Sequence, residues 1–179
     1  MDVNEQDPAV HWCLELLVRQ RSGYGILGET LQLEPGDYLA LCALNGEDTP
    51  VFESYPLQQE QLKAKLLKLQ KLRREDEYQE LYQWLREYQK PSRWDIACIV
   101  ASASMGFHHL WQDLGLVERP RLGMLMRECF FGLSDLNQPP MRWKKFFYRQ
   151  LCLLHGALVC RSPSCSECSS YSECFAQDD

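Results

Sequence analysis

Apolar residues recur at three- and four-residue intervals through most of this chain, which predicts a helical protein rather than one built on alternating strands. Val10, Leu14, Leu17 and Val18 form such a stripe behind Pro8, a residue suited to a first helical turn, and the pattern stops near Arg21 and Gly23. Gly23, Gly25 and Gly28 then break it; no Lys-Ser or Lys-Thr follows them, so the stretch reads as a turn and not as a phosphate loop. A second short helix is expected from Pro35, Gly36 and Asp37, carrying Tyr38, Leu41, Cys42 and Leu44 as far as Asn45 and Gly46.

From Leu57 the pattern lengthens and becomes charged. Leu62, Leu66 and Leu69 mark one face, and Tyr78, Leu81, Tyr82, Leu85 and Tyr88 another, which predicts two helices packed as a hairpin with the run Lys71 to Glu77 as a solvated turn between them. Pro91 closes the hairpin. Ser92 followed by Asp95 resembles a capping box for a helix that buries Ile96, Ile99, Val100 and Ala103 and ends at Gly106. After it comes a segment dense in donors and acceptors, His108, His109, Trp111, Gln112 and Asp113. A histidine beside apolar neighbours is usually satisfied by the core, and that reading stands beside a functional one for His109. Pro120 opens a further helix with Leu122, Leu125, Met126, Cys129 and Phe130 inward and Gly132 at its end, and Pro139 and Pro140 form the next linker.

The last helix is expected from about Arg142 to His155, with Trp143, Phe146, Phe147, Leu151 and Leu154 as its apolar stripe and Gly156 as its cap. The chain is therefore read as all-α: a compact multi-helix domain over 1–155, followed by an irregular cysteine-rich, metal-binding tail over 156–179. In that tail serines alternate with Cys160, Cys165, Cys168 and Cys174, a C-x4-C-x2-C-x5-C spacing. The segment has no periodicity of its own, so metal binding is expected to be coupled to its folding.

Composition narrows the function. A chain of 179 residues with 45% hydrophobic content can bury a real core, and its formal net charge of −6 gives no support to nucleic-acid binding. The longest weakly polar run, Ile96 to Phe107, is too short for a membrane span, and the acidic N-terminus (Asp2, Glu5, Asp7) has no secretory pattern. A cytoplasmic protein is expected. No nucleophile, base and oxyanion arrangement stands out, so a carrier is expected rather than an enzyme of conventional turnover.

Nine cysteines is an odd number, and Cys13, Cys42, Cys98 and Cys129 lie in apolar helical contexts where a thiol behaves as a small hydrophobe, so a disulfide knot is disfavoured for the tail. A structural zinc usually shows two close cysteine pairs, and here there is one x2 pair. The order x4 then x2 echoes the plant-type ferredoxin spacing, although those ligands sit in a strand-rich domain. Three readings remain open: an iron–sulfur carrier, a helical partner-docking protein with a structural zinc tail, and a small iron–sulfur electron carrier. Arg161, Arg149, Lys144 and Lys145 could supply positive surround to a cluster, or contacts for an oxyanion or a partner; a solvated basic face is the plain alternative.

The run MRWKKFFYRQLC over 141–152, followed by CRSPSC, ECSSYSEC and the upstream HLWQDLGL, closely resembles the nitrogen fixation NifQ family over roughly Ile96 to Phe175, whereas the N-terminal half resembles it in helical character and length. The resemblance implies an iron–sulfur cluster that incorporates molybdenum, held by Cys160, Cys165, Cys168 and Cys174. It further implies capture of molybdate and donation of molybdenum for synthesis of the nitrogenase iron–molybdenum cofactor, with the cofactor-assembly scaffold and the nitrogenase iron protein as partners. The family's pattern has Asn before the motif histidine, where this chain has His108, so the motif histidine is His109. His109 and Cys152 are the auxiliary ligand candidates that the resemblance adds.

Overall fold

The computed structural model describes residues 7–28, 30–46 and 57–155. Among them the chain forms helices only: α1 (Pro8–Arg21), α2 (Pro35–Leu44), α3 (Leu57–Arg73), α4 (Glu75–Tyr88), α5 (Ile96–Ser104), α6 (Leu110–Leu114), α7 (Arg119–Cys129), α8 (Leu133–Leu136) and α9 (Trp143–Leu154). One isolated bridge, Gln89 to Phe130, ties the end of α4 to the end of α7. No helix among the described residues is long and apolar enough to cross a membrane.

Helix α5 is the centre of the fold. Eight of its residues, Ile96, Ala97, Ile99, Val100, Ala101, Ser102, Ala103 and Ser104, are buried, so it is apolar nearly all round rather than on the single expected face. Small side chains let its neighbours approach closely, and it packs chiefly against α4 and α6. Its start is capped by Asp95, whose carboxylate accepts the Cys98 N–H at 3.0 Å. Ser92 is not the cap; its hydroxyl accepts the Trp94 N–H and donates to Asp7, which itself caps α1 at Ala9.

Three expectations need correcting. First, α4 packs on α5 and α9 more than on α3, so the two long helices are not a closed hairpin. Second, Leu62, Leu66 and Leu69 are exposed, and α3 docks instead through Leu67, which is 2% exposed. Third, the run from Lys71 to Glu77 is not simply a solvated turn. The Lys71 ammonium reaches the Ser102 hydroxyl at 3.2 Å and lies over the Tyr78 ring, and Arg74 pairs with Glu77 while donating to the Tyr148 hydroxyl at 2.6 Å. Burial holds the Lys71 ammonium below its usual pKa.

Helix α9 buries Phe146, Phe147 and Leu151, while Leu154 at its end is exposed. Its aromatic face interlocks with α4: the Trp84 ring stands 6.1 Å from Phe146 and 6.0 Å from Phe147, in edge-on contacts. Cys13, Cys42 and Cys129 are buried free thiols and Cys98 and Cys152 are half-buried ones. Burial pushes the Cys13 thiol well up and that of Cys129 up to about 12, which leaves both unreactive at neutral pH.

Candidate functional site

The donor-rich segment after α5 folds into a tight corner around Asp113. This carboxylate is fully buried, and its Oδ2 accepts the Lys144 ammonium at 2.5 Å and the His108 backbone N–H at 3.1 Å. Lys144 also donates to the Gly106 carbonyl at 2.9 Å, so the first turn of α9 is clamped to the chain on both sides of α6's entry. Gly106 is required here by space: a Cβ would stand 2.4 Å from Asp113 Oδ2 and 2.3 Å from the Ile26 side chain. Burial lowers the Lys144 pKa and the Asp113 carboxylate raises it again in part, the burial effect being the larger.

The glycine-rich stretch after α1 is the outer half of this corner, and not a phosphate loop. Ile26 N–H donates to the Asp113 carbonyl at 3.0 Å, Arg19 to the Gly115 carbonyl at 2.7 Å, and Gln20 to the Leu114 carbonyl at 3.3 Å. Gly25 and Gly115 both adopt positive φ, where a side chain would be strained, and a Cβ on Gly25 would meet the backbone of Asp113 and Gly115 at 2.9 Å. The polar carbonyls at the end of α6 are thus satisfied by α1 and the turn behind it.

In front of the corner lies a cleft of about 170 Å³. The loop before α6 and α6 itself contribute His108, His109 and Trp111, α7 contributes Arg119, and α9 contributes Trp143, Lys144 and Lys145, with Arg142 at its N-cap. None of the described residues lining it is acidic. The His109 backbone N–H donates to Gln112 Oε1 at 3.1 Å, which caps α6 and fixes the entry to the cleft. The Trp111 indole N–H is buried and has no acceptor among the described residues.

These positions partly regroup the residues picked out from sequence. His109, Lys144 and Lys145 share the cleft, but the ammonium of Lys144 is committed to Asp113 and Gly106. Arg149 is not among the lining residues; its guanidinium contacts the Met141 sulfur at 3.6 Å. Cys152 sits on the last turn of α9, about 10 Å along the helix axis from Lys145 at 1.5 Å per residue. His109 and Cys152 therefore do not meet in one site. Cys160, Arg161, Cys165, Cys168 and Cys174 lie outside the described residues. Within those residues, no three His, Cys, Asp or Glu side chains are grouped to hold a metal ion.

Sequence reading did not assign Trp111, Trp143, Arg119 or Arg142 to a site. A signal for one of them was present: Arg142 precedes α9, whose first turn has no acidic residue, whereas Arg119 opens α7 directly behind its N-cap residue Glu118. Cations at the positive end of a helix go against the usual charge preference, and local rules are broken most often at functional sites.

Comparison with known proteins accounts for nearly the whole length of the chain. The NifQ family model matches residues 14–176. Protein NifQ of Klebsiella pneumoniae is 41% identical over 169 residues, covering 94% of this chain and 99% of the relative. Protein NifQ of Azotobacter vinelandii is 39% identical over 181 aligned residues, covering 96% and 91%, and that of Rhodobacter capsulatus is 47% identical over 87 residues, covering 49% and 48%. The likeness extends through the N-terminal half, beyond the motif region from Ile96. No solved structure matches the chain.

Proposed function

Because the chain belongs to the NifQ family, and so has a role in nitrogen fixation, we propose that it carries an iron–sulfur cluster with molybdenum and donates that molybdenum for synthesis of the nitrogenase iron–molybdenum cofactor. The observation that carries this reading is the family match through residue 176, which takes in the C-x4-C-x2-C-x5-C segment. Cys160, Cys165, Cys168 and Cys174 would hold the cluster. Four soft thiolates suit iron–sulfur ligation and a reduced, sulfur-bound molybdenum, so the donor set fits the group. When bound, the cluster supplies sulfide ligands in place of the hard oxo ligands of molybdate.

The chain's own part in this is to hold and to deliver. Helix α9 is fixed at its first turn by the Lys144–Asp113 pair and in its middle by Tyr148, and the cysteine segment follows it in sequence. Cys152, half-buried on its last turn, is an auxiliary thiolate. The protein acts as a cytoplasmic carrier that hands its cargo to the cofactor-assembly scaffold in company with the nitrogenase iron protein, and not as an enzyme of repeated turnover.

The test is elemental analysis for iron, molybdenum, sulfide and zinc, with a visible spectrum, on protein purified without oxygen. Iron, sulfide and molybdenum in brown protein are expected. Cys165→Ala and Cys168→Ala should each abolish cluster retention and leave helix content nearly unchanged, since neither residue lies on a described helix. Zinc alone in colourless protein would establish the structural-tail reading, and full metal in both variants would remove the ligand assignment.

A further inference from the structure

We infer that the solvent face of α3, a stripe of Leu62, Leu66, Leu69 and Leu72 edged by basic side chains, is a docking surface for an acidic amphipathic helix of another protein. This surface is separate from the cysteine segment and needs no part of the donor reading.

The fold holds the stripe outward. At 3.6 residues per turn the exposed residues of α3 from Leu62 to Arg73 fall within an arc of about 160°, and the four leucines run along it. They are 45–61% exposed, although leucine is the residue a helix ordinarily turns inward. The opposite side is already engaged: Leu67 is buried, Lys63 donates to the Gly23 carbonyl and Lys71 to the Ser102 hydroxyl. Rotating the helix to bury the leucines would break all three contacts. Leu62, Leu66 and Leu69 stand at i, i+4 and i+7, the spacing with which one helix sets its anchors against another.

Charge selects the occupant. From Leu62 to Arg73 the sequence carries five basic residues and no acid, +5 in a chain whose formal net charge is −6, which leaves −11 for the remainder. Of the five, Lys65, Lys68 and Arg73 are exposed beside the leucines and have no acceptor among the described residues. The first acids beyond the stripe, Glu75 and Asp76, come after its C-terminal end, in the first turn of α4. A second copy of this chain would set the basic edges of two α3 helices against each other, which like-charge repulsion disfavours. The stripe is also too small for a stable dimer, about 15 Å long and about 10–12 Å wide against about 800 Å² per partner in a standard interface. An anionic membrane would meet the acidic remainder of the surface as well, and α3 has no tryptophan or phenylalanine to insert. A partner helix with an apolar middle and Asp or Glu along its edges answers both the leucines and the cations. So small a contact gives weak, exchangeable binding that falls with salt.

The experiment offers the full-length protein two labelled synthetic helical peptides of equal length, one with a leucine stripe flanked by glutamates, the other with lysines in place of those glutamates. Fluorescence anisotropy should show one-to-one binding of the glutamate peptide, weakened several-fold by raising the salt, and none of the lysine peptide. Leu69→Gln and the double variant Lys65→Glu/Lys68→Glu should each weaken that binding about tenfold. Arg127→Gln, at an exposed arginine on α7, should leave it unchanged. Iron and molybdenum content should be the same in all variants, which keeps this test separate from that of the cysteine segment. Equal binding of the two peptides, or of the glutamate peptide by every variant, overturns the site. Binding to phosphatidylglycerol vesicles but to neither peptide assigns the face to a membrane, and a dimer in sedimentation that Leu69→Gln dissociates assigns it to a second copy; either result overturns the acidic partner. Failure to bind either peptide overturns it outright, and equal stability losses for Leu66→Ala and Leu67→Ala would then assign the face to another segment of this chain.

Discussion

Helices α3 and α9 carry comparable apolar stripes in sequence, and the fold uses them in opposite ways. In α9, Phe146, Phe147 and Leu151 are buried against α4, with Trp84 and Trp143 packed around the phenylalanines. In α3, Leu62, Leu66, Leu69 and Leu72 are all exposed, and the helix docks through Lys63, Ala64, Leu67 and Lys71. A lysine stem is as apolar as a leucine over most of its length, and its ammonium can still reach an acceptor: Lys63 finds the Gly23 carbonyl at 2.7 Å and Lys71 the Ser102 hydroxyl. The difference shows that a stripe of leucines identifies an amphipathic helix without fixing which face it buries.

The contrast is tested most strongly in α9. Phe147→Ala removes a fully buried ring from between two tryptophans and should cost about 3–5 kcal/mol of unfolding free energy by urea titration. A loss below about 1 kcal/mol would mean that the helix leading to the cysteines is not anchored in the core.

The clamp at the start of α9 comes next. Lys144→Met leaves the Asp113 carboxylate buried with one N–H donor and should cost about 3 kcal/mol, the lower end for a broken buried pair because Lys144 keeps 17% side-chain exposure. Adding Asp113→Asn should restore part of that loss, since it removes the uncompensated charge; if the double variant is no more stable than Lys144→Met, the pair is not coupled as described.

Much of this was legible beforehand, and the reason lies in which physical rule governed each element. Pro8, Pro120 and the aromatic stripe of α9 marked helices that the structure contains, because helix starts and periodic burial are local properties of sequence. The corner around Asp113 was not legible. It depends on Gly25, Gly106 and Gly115 leaving room for close backbone approach between segments far apart in the chain, and periodicity says nothing about such contacts. The cleft escaped for a related reason: Arg119, Arg142 and Trp111 are ordinary residues singly, and only their convergence is unusual. His109 could be singled out from the chain, but its separation from Cys152 by most of the length of α9 could not.

The finest test compares neighbours on α3. Leu67 is 2% exposed and Leu66 is 45% exposed, so adjacent residues of one type stand on opposite sides of the docking line. Leu67→Ala should cost about 2 kcal/mol, near the low end for a buried leucine because α3 packs at the edge of the core. Leu66→Ala should change stability by no more than about 0.5 kcal/mol, with a small gain possible from the better helix former. Both are measured by urea unfolding under the same conditions, which cancels the shared unfolded-state terms for one substitution type. Equal losses at the two positions would mean that the leucine face is covered in solution, and the exposed stripe of α3 would then have to be redrawn as a second buried surface.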